Sequence, residues 1–325
     1  MSKKITLGIS SCLLGKSVRF NGSHKRSAYC VEELSEWFDY KPVCPEVEIG
    51  MGIPREPIRL VQKGEGIRVK NVTDHSKDFT DELVALAEKK VDDFADLDGF
   101  IFMQKSPSCG LFSVKVYNEN GMPGPDPDQG AFAKKIQQAY PLMPMEEAGR
   151  LNDTVLRENF LTRVFAHAEW KEEVLANPLP KALVAFHTKY KYLLQVRSEK
   201  HYRELGQLVA KAGSQPFDEL SKEYFALFMF ALTQRAVPGD HVNVMHHMIG
   251  FIKNDLDHAS KHSILNLIGL YQKGDVELLV PLTLLKHYIE KFDVTYLINQ
   301  KYLSPFPQSF DHFNQAQFKN KYFIS

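Results

Sequence analysis

A change in hydrophobic period near residue 152 constrains the fold more than any other feature of this chain. Before that point, three short apolar runs, at 5–10, 40–45 and 99–104, alternate with helical patterns such as FTDELVALAEKKVDDFADL. Strands that alternate with helices are typical of a parallel sheet with helical crossovers. We therefore expect the first 150 residues to form an α/β domain with a parallel sheet.

The second half of the chain shows almost only helical periodicity. Apolar residues recur at helical spacing in LPKALVAFHTKYKYLLQV, DELSKEYFALFMFALTQRA and HSILNLIGLYQKGD, a pattern that places them on one face of a helix. A chain of 325 residues is long enough for two domains. We predict an α/β domain over residues 1–150 and an all-α domain over residues 151–325.

Composition excludes several classes of protein. Hydrophobic residues make up 44% of the chain and charged residues 25%, which is typical of a globular protein. No apolar run approaches the roughly 20 residues of a membrane span. The first ten residues lack the long apolar core and small-residue cleavage site of a secretion signal. We expect a cytoplasmic protein with no membrane association, and nothing in the sequence implies a protein partner.

Each of the three apolar runs is accompanied by a cysteine. Cys12 and Cys109 come after the first and third runs, and Cys44 stands at the end of the second. Ligands of open α/β sheets bind beyond the carboxyl ends of the parallel strands. We therefore expect these three thiols to meet in one crevice, although 32 and 65 residues separate them along the chain.

Three thiols in one crevice favour a metal site. Four cysteines are too few for a disulfide scaffold, and thiolates suit soft metals and iron–sulfur clusters. Three ligands would also leave one metal position open for catalysis. The residues alone equally allow three ordinary buried cysteines, because cysteine is often buried and no CxxC pair is present. The fourth, Cys30, lies inside a helical pattern and is expected in the core.

Polar residues flank two of these cysteines. Glu46 follows the second cysteine by two positions, and a carboxylate beside a metal-bound substrate is a natural general acid or base. Glu48 is a rival for this role that spacing does not dismiss. Ser106 and Ser108 precede the third cysteine and could orient a substrate or relay a proton, or could serve only turn hydrogen bonds.

The segments that carry these residues resemble a known family. SSCLLGKSVRFNG, PVCPEVEIGMGIPREPIRLV and KSPSCG are similar, in order, to the three signature segments of the bacterial thiouracil desulfidases. The resemblance implies a 4Fe–4S cluster on Cys12, Cys44 and Cys109, with a unique iron that takes the sulfur of a thiolated pyrimidine. It also implies Glu46 as acid/base and Ser106 as the assisting serine, and a second serine in the same segment leaves that last assignment open.

The second half resembles the YbgA-like domain. The matching segments include GRLNDTVLRENFLTRVFAH, FHTKYKYLLQVRSEKHYRELGQLVA and HVNVMHHMIGFIKNDL, with YLSPFP near the end. Proteins that combine both domains resemble bacterial tRNA 4-thiouridine desulfidases, in which the helical domain is thought to help hold tRNA. The resemblance therefore implies a desulfidase that converts 4-thiouridine in tRNA to uridine and releases sulfide, with thiolated tRNA as its partner.

A basic stretch in the second half fits this expectation. Residues 181–211 contain seven Lys or Arg and two acids, with three tyrosines interleaved, a combination suited to phosphate contact and base stacking. The alternative is an ordinary solvated helix face. A single helix through the stretch would place the candidate tRNA-binding residues on one broad face; these are Lys189, Arg197, Lys200 and Arg203.

Other functions remain open at this point. The same chemistry could act on free thiouracil or thiouridine. A three-cysteine zinc hydrolase or deaminase is a rival, although the HxE…PCxxC signature of the zinc deaminases is absent. A non-enzymatic RNA-binding or sulfur-sensing module is another, against which Glu46 and an open metal position count.

Overall fold

The computed structural model describes residues 4–64, 66–124 and 126–307. The chain divides into two compact units, Met1–Ala168 and Glu169–Ser325. The first unit is α/β, and the regular elements among the described residues of the second are all helices, so the predicted fold class is confirmed. Residues 308–325 of the predicted second domain lie outside the described part. The assignment of a catalytic role to one half and a tRNA-binding role to the other stays a prediction.

The strands of the first unit form two sheets. They are β1 (Ile5–Ser10), β2 (Phe38–Val43), β3 (Ile58–Lys63), β4 (Gly66–Asn71), β5 (Gly99–Phe102), β6 (Val116–Tyr117) and β7 (Met145–Glu147). The larger sheet has the order β2-β1-β5-β7, and every neighbouring pair in it is parallel. All four of its strands therefore end at the same edge.

The central strands of this sheet form the core of the first unit. Leu7 and Ile9 of β1 are fully buried, and all four residues of β5 are buried. Gly8 allows the two strands to pack, because a Cβ at this position would lie 2.2 Å from the ring of Phe100. Two of the predicted runs thus match β1 and β5, and the run at 40–45 overlaps β2.

A second sheet was not anticipated from the sequence. It has the order β4-β3-β6, with β3 antiparallel to β4 and parallel to β6. Its hairpin turns at Gly64, which has a φ of +57°, so glycine suits the position. Two strand-like runs separated by the short, glycine-containing segment GEG are a typical hairpin signal.

The helices of the first unit are α1 (Pro45–Glu48), α2 (Thr80–Lys90), α3 (Ala131–Ala139) and α4 (Thr154–Trp170), the last of which ends just inside the second unit. The helical pattern that contains Cys30 folds as a π turn at Tyr29–Glu33 followed by a 3-10 turn at Leu34–Glu36. Cys30 is fully buried within it, as expected for a core residue.

The second unit consists of helices around an aromatic core. They are α5 (Pro180–Arg197), α6 (Glu199–Ala210), α7 (Phe217–Thr233), α8 (Pro238–Ile252), α9 (His258–Lys273), α10 (Leu279–Lys291) and α11 (Thr295–Ile298). Trp170 stacks on Tyr224 and Phe225 at centroid distances of 5.6 and 4.7 Å. Within the described residues, no helix has the length and apolarity to span a bilayer.

Candidate active site

The three cysteines meet at one edge of the larger sheet. Cys12, Cys44 and Cys109 all line a single cavity of about 510 Å³ in the first unit. Glu46 and both serines of the SPSC segment line the same cavity. The expected convergence at the carboxyl ends of the parallel strands is therefore present, and the role of these thiols as ligands stays a prediction.

Each cysteine is held by a short turn at its strand end. Cys12 lies in a 3-10 turn, Ser11–Leu14, which Gly15 ends at a φ of +86°. Cys44 precedes α1, and its carbonyl accepts hydrogen bonds from the amides of Val47 and Glu48. The third thiol lies on the loop between β5 and β6. These turns place the sulfurs beyond the sheet edge without extending the strands.

Burial keeps the isolated thiols neutral. It raises the pKa of Cys12 to about 11, with the neighbouring Cys44 contributing in the same direction. Burial also raises the pKa of Cys44 and, more strongly, that of Cys109. Thiolates in this cavity would therefore need bound positive charge, and metal binding would release their protons.

The three thiols line a cavity and are not grouped closely enough to bind a single metal ion. Among residues 4–64, 66–124 and 126–307, no three His, Cys, Asp or Glu side chains meet the geometry for one metal ion. The donor set around the cavity consists of three thiols, which as thiolates are the ligands of iron–sulfur clusters.

A buried arginine fixes the carboxylate of Glu46. The Nε and Nη2 of Arg55 donate to one oxygen, Oε2, at 2.9 and 2.7 Å. The side chains of Arg55 and Glu46 are only 5% and 13% exposed. Arg55 also donates to the carbonyls of Val18 and Gly52, at 3.0 Å each, so its own position is well determined.

The second oxygen of this carboxylate faces the serines. Ser108 Oγ donates to Glu46 Oε1 at 2.7 Å, and Ser106 Oγ lies 3.5 Å from the same atom. The two hydroxyls are 2.9 Å apart, and Ser106 Oγ also accepts from the amide of Cys109 at 3.1 Å. Ser108 is thus the nearer serine to the carboxylate, while Ser106 completes the chain of hydroxyls and supports the loop.

Glu48 lies in a different environment. Its carboxylate forms a salt bridge with Lys90 Nζ at 3.0 Å, and its side chain is about one-third exposed. It is not among the residues that line the cysteine cavity. The geometry therefore favours Glu46 over Glu48 as the carboxylate that could act on a bound substrate.

Sequence reasoning missed the residues that support this site. Arg55 lies in the quoted run GIPREP, but a role for it became visible only from its contacts. Gly130 lies against the cysteine loop: a Cβ there would be 2.6 Å from the carbonyl carbon of Ser108. The buried carboxylate of Glu147, at the end of β7, accepts from the amide of Leu111 at 2.8 Å. No local pattern signals these long-range contacts.

The basic residues of the second unit are not on one helix. Ser198 separates α5 from α6, and its side chain accepts from the amide of His201, as an N-cap serine commonly does. The expectation of a single helix through these residues is therefore wrong, and their role in tRNA binding stays a prediction. Lys200 and Arg203 are about three-quarters exposed and make i,i+4 ion pairs.

The other two candidates are less accessible. Lys189 forms an ion pair with Glu173, and its side chain is about one-third exposed. Arg197 donates to the carbonyl of Gln234 at 3.3 Å. The expectation that the interleaved tyrosines are available for base stacking is also wrong in part, because Tyr190 and Tyr192 are 1% and 2% exposed and belong to the core.

Comparison with known proteins finds a matching family model for each half of the chain. The family model described as 2-thiouracil desulfurase matches residues 7–148. A model for proteins of unknown function, DUF1722, matches residues 191–307. The first half of the chain therefore matches the 2-thiouracil desulfurase family, and the second half carries a DUF1722 match.

Two curated relatives each match part of the chain. The uncharacterized protein YbgA of Escherichia coli (strain K12) is 31% identical over 155 residues, which cover 46% of this chain and 90% of YbgA. The uncharacterized protein YbbK of Bacillus subtilis (strain 168) is 34% identical over 119 residues, which cover 34% of this chain and 75% of YbbK.

A solved structure of a 4Fe-4S-dependent thiouracil desulfidase, TudS, is also similar. It shares 24% identity, and the match covers 48% of this chain and 98% of that one at a TM-score of 0.37. A TM-score of this size supports no conclusion about this chain.

Proposed function

We propose that the protein is an iron–sulfur-dependent desulfidase that removes sulfur from a thiolated pyrimidine without net redox change. The observation that carries the proposal is one cavity lined by three thiols and by a carboxylate that Arg55 holds in place. The match of the 2-thiouracil desulfurase model over residues 7–148 points to the same chemistry. In the overall reaction, a thiocarbonyl and water give a carbonyl and hydrogen sulfide.

The donor set fits a 4Fe–4S cluster. Cys12, Cys44 and Cys109 would hold it as thiolates. Because three thiolates would serve four irons, one iron would have no protein ligand. The chemistry that the bound cluster supplies is Lewis-acid polarisation of the carbon–sulfur bond. The cavity of about 510 Å³ is the space in which cluster and pyrimidine ring would both have to fit.

Glu46 is the group in the cavity suited to move a proton. Its Oε2 is occupied by Arg55, so Oε1 is the atom that can accept a proton from water. Ser108 Oγ, 2.7 Å from Oε1, and Ser106 Oγ, 2.9 Å further on, form a short hydroxyl path along which a proton can pass. Arg55 keeps the carboxylate aimed at this path.

The substrate we propose is 4-thiouridine within tRNA, and free thiouracil or thiouridine is the alternative. Support comes from the exposed cations Lys200 and Arg203 of the second unit, which could contact phosphates. Lys189 and Arg197 would have to leave their present partners to do so.

The test is anaerobic purification, then incubation with thiolated tRNA and with free thiouracil, followed by nucleoside and sulfide analysis. Glu46→Gln should retain iron and lose turnover by about 10²–10⁴-fold, the usual cost of losing a general acid or base. Glu48→Gln is the matched control and should stay near wild type in turnover, because its ion pair with Lys90 lies outside the cysteine cavity. Bound zinc in place of iron, or sulfide release from neither substrate, would refute the proposal.

A further inference from the structure

An exposed aromatic ring lines the cysteine cavity. Phe20 belongs to the lining together with the three thiols, and it is 38% exposed. Other large apolar side chains that are exposed in the first unit, such as Phe112 and Met122, lie outside that lining. A single exposed apolar residue is ordinary on a protein surface. One that lines a cavity is placed to contact whatever enters the cavity.

A tight turn determines the position of this ring. The amide of Arg19 donates to the carbonyl of Ser23 at 3.1 Å, and the amide of Gly22 donates to the carbonyl of Arg19 at 2.9 Å. Gly22 has a φ of +72°, which glycine adopts without strain. The Oδ1 of Asn21 accepts from both the amide and the hydroxyl of Ser23, at 3.2 and 2.6 Å. The turn is therefore closed by its own hydrogen bonds, and Phe20 is placed without burial of its ring.

The same segment is attached to the residues that surround the thiols. The carbonyl of Phe20 accepts from the amide of Arg55 at 2.7 Å. The carbonyl of Val18 accepts from Nη2 of Arg55 at 3.0 Å and from the thiol of Cys44 at 3.7 Å. Because Arg55 also holds the carboxylate of Glu46, the aromatic residue is connected through few contacts to that carboxylate and to one thiol. A planar ring bound beside the thiols would lie within reach of it.

The surroundings of the ring suit a nucleobase. The guanidinium carbon of Arg19 lies 5.7 Å from the centroid of the Phe20 ring, and Arg19 lines the cavity as well. A cation within about 6 Å of an aromatic face is attracted to it. Aromatic rings and guanidinium planes are the groups on which unpaired bases stack in proteins that bind single-stranded nucleic acid. A phenyl face favours a planar pyrimidine, which has a π face of its own, over a saturated ring.

We infer that Phe20 is the platform on which the reacting pyrimidine ring stacks when it enters the cysteine cavity. The inference rests on the proposed function and adds to it the residue that binds the face of the ring. Stacking would fix the plane of the pyrimidine and leave its edge, which carries the sulfur, free to face the thiols. Because every base has a π face, Phe20 would contribute affinity and orientation, whereas the choice between pyrimidines would depend on other groups.

The experiment compares uridine with 5,6-dihydrouridine, which keeps the same hydrogen-bonding groups on a saturated, non-planar ring. Neither nucleoside contains sulfur, so binding is measured without turnover, by NMR titration of the anaerobically purified full chain. Wild type should bind uridine about fivefold more tightly than dihydrouridine, as expected for one aromatic contact. Phe20→Leu should weaken uridine binding by about the same factor and leave dihydrouridine binding unchanged. Phe20→Trp, which keeps an aromatic face, should retain the preference for uridine.

Phe112→Leu is the matched control, since Phe112 is 42% exposed in the same unit and lies outside the cysteine cavity. It should keep the wild-type preference for uridine. The inference would be overturned if wild type showed no such preference, if Phe20→Leu retained it, or if Phe20→Leu weakened both nucleosides equally. It would also be overturned if Phe20→Leu weakened binding of a short oligonucleotide with one internal uridine but not of uridine itself, because the ring would then contact a neighbouring base. An intact preference for uridine without desulfidase activity on any substrate would instead refute only the proposed function.

Discussion

The substitution Gly130→Ala tests how tightly the cysteine loop must be positioned. Gly130 precedes α3, and a Cβ there would lie 2.6 Å from the carbonyl carbon of Ser108 and 2.8 Å from the amide nitrogen of Cys109. Ordinary contacts of a Cβ begin at 3.4 Å, so the loop would have to move by about 0.8 Å. The φ of Gly130 is −65°, which alanine adopts freely, so the effect is purely one of space.

Backbone contacts leave the loop little freedom to absorb this movement. Gly130 donates to the carbonyl of Gly110 at 2.7 Å, and Ala133 donates to that of Ser108 at 3.1 Å. Overpacking of this kind costs about 1–3 kcal/mol of stability. A misplacement of about 1 Å in a catalytic group can reduce the rate about 10²-fold. We expect Gly130→Ala to fold with a lowered Tm and to lose activity by about that factor.

The assay combines thermal unfolding, iron and sulfide content per chain, and the desulfuration rate. Gly66→Ala is the control in the same unit, since the nearest atom to a Cβ there, the carbonyl oxygen of Lys63, is 3.8 Å away. It should retain both iron and rate. Wild-type iron content and rate in Gly130→Ala would show that the loop tolerates displacement and that its position is not critical for the chemistry.

Two further predictions concern the ligands and the second unit. Cys109→Ala should lose most bound iron after anaerobic reconstitution, whereas Cys30→Ala, outside the cavity, should keep it; equal iron in both would refute the ligand assignment. The double substitution of Lys200 and Arg203 to Ala should weaken tRNA binding and reduce the slope of log affinity against log salt by about one to two units. Lys222→Ala, an equally exposed cation, is its control, and an identical slope in both proteins would place the RNA elsewhere.

Local patterns were sufficient where the structure depends on local physics. The β1 and β5 strands and α2 lie where hydrophobic period predicted them, because the period reports which face of an element is buried. The hairpin of β3 and β4 had a comparable signal and was overlooked. The prediction of a single basic helix was wrong for a local reason as well, because Ser198 caps α6 and interrupts the helical run.

The net charge of the first half does not report where its charges lie. Residues 1–150 carry 20 Lys or Arg and 22 Asp or Glu, a difference of −2. Among the described residues, Arg59, Lys105 and Lys115 line one cavity of the first unit, and none of the residues in that lining is acidic. Net charge sums over a surface, whereas recognition depends on which charges are neighbours.

The sequence by itself determined that three thiols meet beyond the sheet. Parallel strands end at one edge, so residues that follow them share that edge whatever their separation along the chain. Only the tertiary structure decided which carboxylate and which serine face the thiols. Glu46, Arg55 and Ser108 are brought together across as many as 62 residues, and their side-chain directions follow from packing that no local period records.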